Sequence, residues 1–272
     1  MNNYSVLISV YYREEAEYLV QSLNSIVNQT LAPNEIVLVE DGPLSQQLYG
    51  VIDKYGKQYE KIIKRIQLKK NFGLGRALNE GLKHCSNELV ARMDTDDICF
   101  PDRFEKQVGF MTEHPEIDVC SSWIEEFEGD IINVKSLKQV PATHEEIAKY
   151  LIHRNPLNHP AVMFRKSAVE SVGGYQHFPL FEDWYLWARM FVNGARFANI
   201  PEPLLHFRTS PQMFKRRGGI KYTMDSARFQ WTLHMLGLNS AIGAIKASVM
   251  RGAVYLMPNK LRAAIYSKFL RS

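Results

Sequence analysis

Leu89-Val90-Ala91-Arg92-Met93-Asp94-Thr95-Asp96-Asp97 is a largely apolar run that breaks off in three carboxylates within four positions. The run reads as a buried strand, and acids crowded at its end repel one another unless a cation sits among them. Hard oxygen ligands in that place suit Mg²⁺ or Mn²⁺, because open α/β sheets bind their ligands outside the carboxyl ends of the strands. The same residues also read as a solvated acidic turn before Pro101, with Asp96 or Asp97 capping a helix.

Working outward, the preceding sequence alternates strand and helix. Ser5–Val10 is a continuous apolar strand, and Ala16–Gln29 places Leu19, Leu23, Ile26 and Val27 on one helical face. Glu35–Val39 is a second strand closed by Glu40-Asp41-Gly42-Pro43, Ser45–Tyr59 a helix, Ile62–Leu68 a third strand, and the segment around Gly73 opens a further helix. This order implies right-handed β-α-β units and a mainly parallel central sheet with helices on both faces. Beyond the acids, Pro101 is expected at the first turn of a helix that His114-Pro115 ends. Val119–Phe127 and Ile131–Lys135 flank Glu128-Gly129-Asp130 as a hairpin, a small antiparallel portion. Thr143-His144-Glu145-Glu146 is a capping box. Ala161–Arg165 reads as a strand, Ser167–Val172 and Glu182–Gly194 as helices, and Leu204–Arg208 as the last strand. From Tyr222 onward only helices are expected. The expected division is therefore an α/β domain over 1–214 and a basic helical region over 215–272.

The 272 residues suffice for a full core, and the composition is that of an ordinary globular chain. Cys85, Cys99 and Cys120 form no Cys-x-x-Cys pair, which favours a reducing compartment over a zinc or disulfide scaffold. Met1-Asn2-Asn3-Tyr4 lacks the basic start of a signal peptide, so a cytoplasmic location is expected. The formal net charge of +4 hides an asymmetry: from Lys215 to the end stand 11 Lys and Arg against one acid, Asp225. An anionic partner for this region follows. No nucleic-acid motif accompanies the charge, so a nucleic acid is not expected. Between Leu236 and Met257, Lys246 and Arg251 interrupt the apolar residues, and each costs roughly 2.5–3.5 kcal/mol at a bilayer centre. The segment reads as an amphipathic surface helix, followed by Leu261, Ile265 and Phe269 among Lys260, Arg262, Lys268 and Arg271. Packing of these helices on protein is the alternative.

Several residues are candidates for chemistry. Asp41, at the end of the second strand, can accept an N–H from a nucleotide base, or simply form a turn before Gly42. Gly73-Leu74-Gly75 has Leu78 where a dinucleotide fingerprint needs glycine, yet a helix start with Lys69, Lys70 and Arg76 nearby attracts phosphate. Lys215-Arg216-Arg217-Gly218-Gly219 is a further basic loop that could close over a diphosphate or merely link two segments. Glu182-Asp183-Trp184 opens a helix, and a carboxylate beside aromatic rings has a raised pKa and can serve as a general base. Asn158-His159-Pro160 and His206-Phe207-Arg208 offer histidines for a ligand, a metal or structure.

Together these stretches carry a resemblance. Ile8-Ser9-Val10-Tyr11-Tyr12, Glu35 to Pro43, Asn71 to Gly75, Arg92 to Asp97, Asn158-His159-Pro160, Gly173-Gly174-Tyr175 and Glu182-Asp183-Trp184 occur in the order found in family 2 glycosyltransferases of GT-A fold. The likeness is greatest to non-processive bacterial enzymes of capsule, amylovoran-type exopolysaccharide and O-antigen assembly. It implies a UDP-sugar site with Ser9, Tyr11, Asp41, Asn71, Arg76 and Asp94, and Mn²⁺ or Mg²⁺ held by Asp94, Asp96 and, more loosely, His206. It further implies Asp183 as catalytic base and His159, Gly174, Tyr175, Glu182 and Trp184 around a saccharide acceptor. The processive members' Gln-x-x-Arg-Trp is missing, since Gln230-Trp231 lacks its spacing, which implies one sugar per event. The expected acceptor is polyprenyl-diphosphate-linked, reached from the inner face of the membrane. A sugar-phosphate nucleotidyltransferase would carry a Gly-rich loop where Tyr11-Tyr12-Arg13-Glu14-Glu15 stands. A non-catalytic nucleotide-sugar-binding scaffold would have no use for Asp183.

Overall fold

The computed structural model describes residues 3–210 and 218–257. The first half is the expected wind: β1 (Tyr4–Val10), α1 (Ala16–Val27), β2 (Glu35–Glu40), α2 (Gln46–Gln58), β3 (Ile63–Gln67), α3 (Leu74–His84) and β4 (Leu89–Met93). Strands β3, β2, β1 and β4 lie side by side and parallel. Side chains alternate across this sheet. Tyr4, Val6, Ile8 and Val10 bury against Leu19, Leu23 and Ile52 of α1 and α2, while Leu7 faces Ala77 and Leu78 of α3. Each such aliphatic side chain contributes roughly 1.5–3 kcal/mol on burial. A Cβ on Gly81 would stand 2.4 Å from Leu7 Cδ1 and 2.6 Å from Val39 Cγ2, so α3 lies close on β1 and β2.

The second half adds β5 (Ile98–Cys99), α4 (Arg103–Glu113), β6 (Val119–Phe127), β7 (Val134–Lys138), α5 (His144–Leu151), β8 (Met163–Arg165), α6 (Lys166–Ser171), α7 (Glu182–Val192) and β9 (Phe197–Arg208). Strand β8 joins β4 antiparallel, β6 follows antiparallel to β8, β9 runs parallel to β6, and β5 and β7 pair antiparallel with β9 and β6. Among the described residues the sheet has nine strands, and the parallel half meets the mixed half at β4. That junction puts the acids after Met93 at the centre of the rim.

Three expectations change. Pro101 lies before α4, not in its first turn; its carbonyl accepts the Thr30 N–H at 2.9 Å. The hairpin partner begins at Val134 because residues around Ile131 form the turn. The last strand starts at Phe197, seven residues earlier than expected, and carries Pro201 and Pro203 through a register shift opposite Ser122 and Trp123. Proline is tolerated there because an irregular register needs fewer ladder N–H groups. The Thr143 capping box is present, with Glu146 N–H donating to Thr143 Oγ1.

The surface helix expected between Leu236 and Met257 is the second of a pair and is covered on one side. A first helix, α8 (Ile220–Met235), ends at Gly237 with φ +77°, and Ser240 caps a second, α9 (Ala241–Tyr255), which packs back on α8. Tyr222, Phe229, Leu233 and Tyr255 enter the same core as Phe178, Phe181 and Trp184, so the inner faces of the pair pack on the α/β part. Lys215, Arg216 and Arg217, together with the stretch from Lys260 to Arg271, lie outside the described residues. No described helix is long and apolar enough to cross a membrane.

Candidate active site

At the carboxyl end of the parallel strands the chain turns sharply after β2. Gly42 has φ +87°, and a Cβ there would lie 2.4 Å from the Asn71 nitrogen, so only glycine fits against the loop before α3. Asp41 is buried, and its carboxylate accepts N–H groups from Phe72 at 2.7 Å and Gly73 at 3.0 Å. Asn71 donates its amide to the Asp41 carbonyl at 3.2 Å. Asp41 therefore ties the β2 turn to the start of α3. Ser9 is half-buried near the end of β1, Tyr11 follows on the open side, and Arg76 is exposed in the first turn of α3.

At the end of β4, Asp94, Asp96 and Asp97 bring one carboxylate oxygen each to within 4.8 Å of one another. Arg92 is fully buried inside the strand and donates to Asp94 through both terminal nitrogens, Nη1 at 2.7 Å. Burial, with Asp94 and Glu14 nearby, pushes the Asp96 carboxyl up to about 7, and burial raises Asp97 well above the usual carboxylate range. Asp97 Oδ1 accepts the Arg208 N–H at 2.8 Å, while its buried Oδ2 has no partner within the protein. Hard oxygens, raised proton affinity and an orphaned carboxylate oxygen fit a divalent cation held by Asp94, Asp96 or Asp97. Glu14 brings a further acid: its carboxylate accepts the Thr95 hydroxyl, and burial raises its pKa.

His206 is not in this cluster. Its Nδ1 lies 3.1 Å from Glu125 Oε2, and its ring stacks on Phe100 with centroids 4.0 Å apart. Its neighbour Arg208 is the residue that reaches the acids, donating Nε to the Asp96 carbonyl at 2.9 Å while stacking over Tyr18 and Phe127.

The opposite wall is built on α3 and α7. Asn79 clasps the backbone after Gly174, donating to the Tyr175 carbonyl at 2.6 Å and accepting the Tyr175 N–H at 2.7 Å. Gly174, at φ +65°, has no room for a Cβ against Asn79 Oδ1. The Tyr175 hydroxyl meets His159 Nε2 at 2.8 Å. Burial and the Arg92 cation push the His159 imidazole well below its usual range, whereas burial raises the Tyr175 phenol, reinforced by Asp183, Asp94 and Glu182. Arg92, Asp94 and Asp183 thus all act electrostatically on the Tyr175 phenol.

Asp183, in the first turn of α7, accepts the Asn155 amide at 2.6 Å and the Trp184 N–H at 2.8 Å. Burial raises its pKa despite these donors and Arg92. Glu182 beside it lies 3.4 Å from His177 Nδ1 and is also raised by burial. Trp184 turns inward instead: it is buried, gives its indole N–H to the Leu151 carbonyl at 2.8 Å, and packs on Phe229.

The sequence reading missed Glu14, Asn79, Asn155 and Arg208, each of which acts through a contact distant in sequence. Arg92 alone gave a signal, as a cation inside an apolar strand.

A sheet whose first half is parallel and whose central strand ends in an acidic cluster, with a carboxylate at the start of α7, is an α/β fold of GT-A type. Solved structures share this fold: TarS residues 1–349 of S. aureus in complex with UDP-GlcNAc, with a TM-score of 0.67 at 17% identity, covers 99% of this chain and 76% of that one. Mannosyltransferase PcManGT of Pyrobaculum calidifontis, in complex with GDP-Man and Mn²⁺, has a TM-score of 0.63 at 18% identity over 97% of this chain and 79% of that one. The chain belongs to glycosyl transferase family 2, whose model matches residues 5–173. It is 38% identical over 268 residues to the UDP-Gal:alpha-D-GlcNAc-diphosphoundecaprenol beta-1,3-galactosyltransferase of Escherichia coli, covering 98% of this chain and 96% of that protein. Similarity to the amylovoran biosynthesis glycosyltransferase AmsE of Erwinia amylovora is 39% over 265 residues, 97% of this chain and 98% of that one.

Proposed function

We propose that this protein moves a hexose from a UDP-sugar to a lipid-linked saccharide with inversion, one sugar per event, in the synthesis of bacterial surface polysaccharide. The observation that carries the chemistry is a half-buried carboxylate, Asp183, held at a helix start by the Asn155 amide and the Trp184 N–H. The acceptor hydroxyl has a pKa far above neutral, and Asp183 accepts its proton as the oxygen attacks the anomeric carbon from the face opposite the leaving nucleotide. The anomeric C–O bond then breaks and UDP leaves. A single attack with one base inverts the centre. Raised proton affinity suits Asp183 to this role because the carboxylate gains from taking a proton at the moment of attack.

Asp41 meets the uracil ring in this reading, with Ser9, Tyr11, Asn71 and Arg76 along the nucleotide and Asp94 at the ribose. Asp94, Asp96 and Asp97 would hold Mn²⁺ or Mg²⁺, which when bound neutralises charge on the diphosphate. His206 stays outside the ligand set and acts through Glu125. His159, Gly174, Tyr175 and Glu182 shape the acceptor side, and Trp184 supports Asp183 from beneath. The lipid-linked acceptor is supported by the name of the E. coli relative, which specifies a diphosphoundecaprenol-linked sugar. Residues 1–214 then carry the transfer, and the basic region 215–272 keeps the protein at the anionic inner face of the membrane.

The test is a panel of UDP-, GDP- and dTDP-hexoses with a polyprenyl-diphosphate-linked acceptor, each with Mn²⁺ and with EDTA. One UDP-hexose should give product of inverted anomeric configuration, and EDTA should abolish it. Product with retained configuration, or turnover with a GDP- or dTDP-sugar alone, would contradict the proposal.

A further inference from the structure

Both helices of the C-terminal pair are apolar on the side that faces away from the protein. On α9 and at its C-terminal cap, Ile242, Ile245, Val249 and Leu256 form one stripe, turned away from the buried Ala244 and Tyr255, and they are 57–68% exposed. On α8, Ile220, Met224, Trp231 and Met235 do the same opposite Tyr222, Phe229 and Leu233, at 49–72% exposed. A helix that meets water on its outer face carries polar residues there. Two adjacent helices that both reverse this rule form an exposed apolar surface of the kind that marks an interaction site.

The charges select the occupant. Lys221, Arg228 and Lys246 are exposed around these stripes, and the one acid of the region, Asp225, stands among 11 Lys and Arg counted from Lys215 to the end. A second copy of the chain, packed face to face, would bring like charge to like charge. An anionic lipid surface accepts both components, apolar side chains at the acyl boundary and cations at the phosphates.

We infer that the outer faces of α8 and α9 insert into the interfacial layer of an anionic membrane, and that this insertion sets the position of the acceptor site. This rests on the membrane placement proposed above and deepens it from charge attraction to insertion of two named faces. The coupling to the site is short. Phe229 on the inner face of α8 packs on Trp184 with centroids 4.7 Å apart, Arg251 of α9 stacks over the same indole at 5.2 Å and donates to the His153 carbonyl, and Asp183 is the next residue. A lipid-bound diphosphate would thus reach the α7 wall without the saccharide leaving the surface.

The experiment uses the full chain with vesicles of phosphatidylcholine and phosphatidylglycerol. Flotation should recover the protein with the vesicles, and Trp231 fluorescence should shift to the blue and be quenched by brominated acyl chains. Ile245→Ser with Val249→Ser should lower the partition about tenfold or more, with UDP affinity unchanged. Equal flotation of that variant, or an unshifted Trp231 on vesicles that bind, would overturn the inference. So would a wild-type dimer that ignores vesicles and dissociates on the double substitution. Absence of UDP binding in the wild type would count against the transferase reading alone and leave the vesicle result to decide the membrane face.

Discussion

Asp183 carries opposing influences: burial raises its carboxyl, while the Asn155 amide and the Trp184 N–H stabilise its ionised form. A base works deprotonated, so transfer should fall as pH drops through a pKa above the ordinary aspartate range. Asn155→Ala removes a donor to the ionised form and should move that acid limb further up, with a fall in kcat and little change in KM. A pH–rate profile that stays in place would assign Asn155 to structure only. Asp183→Asn keeps the shape and removes the base; kcat should drop by about 10²–10⁴ with UDP affinity intact, as initial rates and calorimetry would show. Asp183 stood out in the sequence only through the resemblance of Glu182-Asp183-Trp184 to the family, because acids at helix starts are common for structural reasons alone. Asn155 did not, because an asparagine in a loop ordinarily serves a turn and its contact here spans 28 residues.

At the level of elements, the β2 turn and the end of β4 each couple a structural duty to the binding role proposed for it. The Asp41 carboxylate receives two N–H groups at the start of α3, so Asp41→Ala should destabilise the fold by about 1–2 kcal/mol in denaturant titrations besides weakening UDP binding. The Asp96 carboxyl, at about 7 in the folded protein against 3.8 when free, keeps a proton that the unfolded chain releases. Its contribution to stability is therefore present at low pH and lost as pH rises through about 7. Mn²⁺ should offset that loss, so the gain in Tm on adding Mn²⁺ should be larger at about pH 8 than at about pH 5.5, where protons compete for the same oxygens. A gain independent of pH would place the ion elsewhere. The parallel wind was readable because buried strands and one-sided helices have distinct periods. The full length of β9 was hidden by Pro201 and Pro203, which argue against a strand unless a register shift accommodates them.

For the molecule as a whole, the C-terminal helices are continuous with the core beneath α7. Phe229→Ala should cost about 3–5 kcal/mol, measured as a lower denaturant midpoint, since its ring is fully buried among Phe178, Phe181 and Trp184. Two separate transitions would instead make the helices an independent unit. The region's charge and helicity were evident in the sequence, but its break at Gly237 and its two-sided apolar character were not. Apolar residues facing the core and apolar residues facing outward read alike in a one-dimensional pattern. The most direct measurement is calorimetric titration of UDP in Mn²⁺ and in EDTA on the wild type, Asp96→Ala and Asp183→Asn. Binding that needs Mn²⁺, fails in Asp96→Ala and persists in Asp183→Asn would separate donor site from base as described. Binding that ignores EDTA and Asp96→Ala, or that is lost with Asp183→Asn, would contradict it.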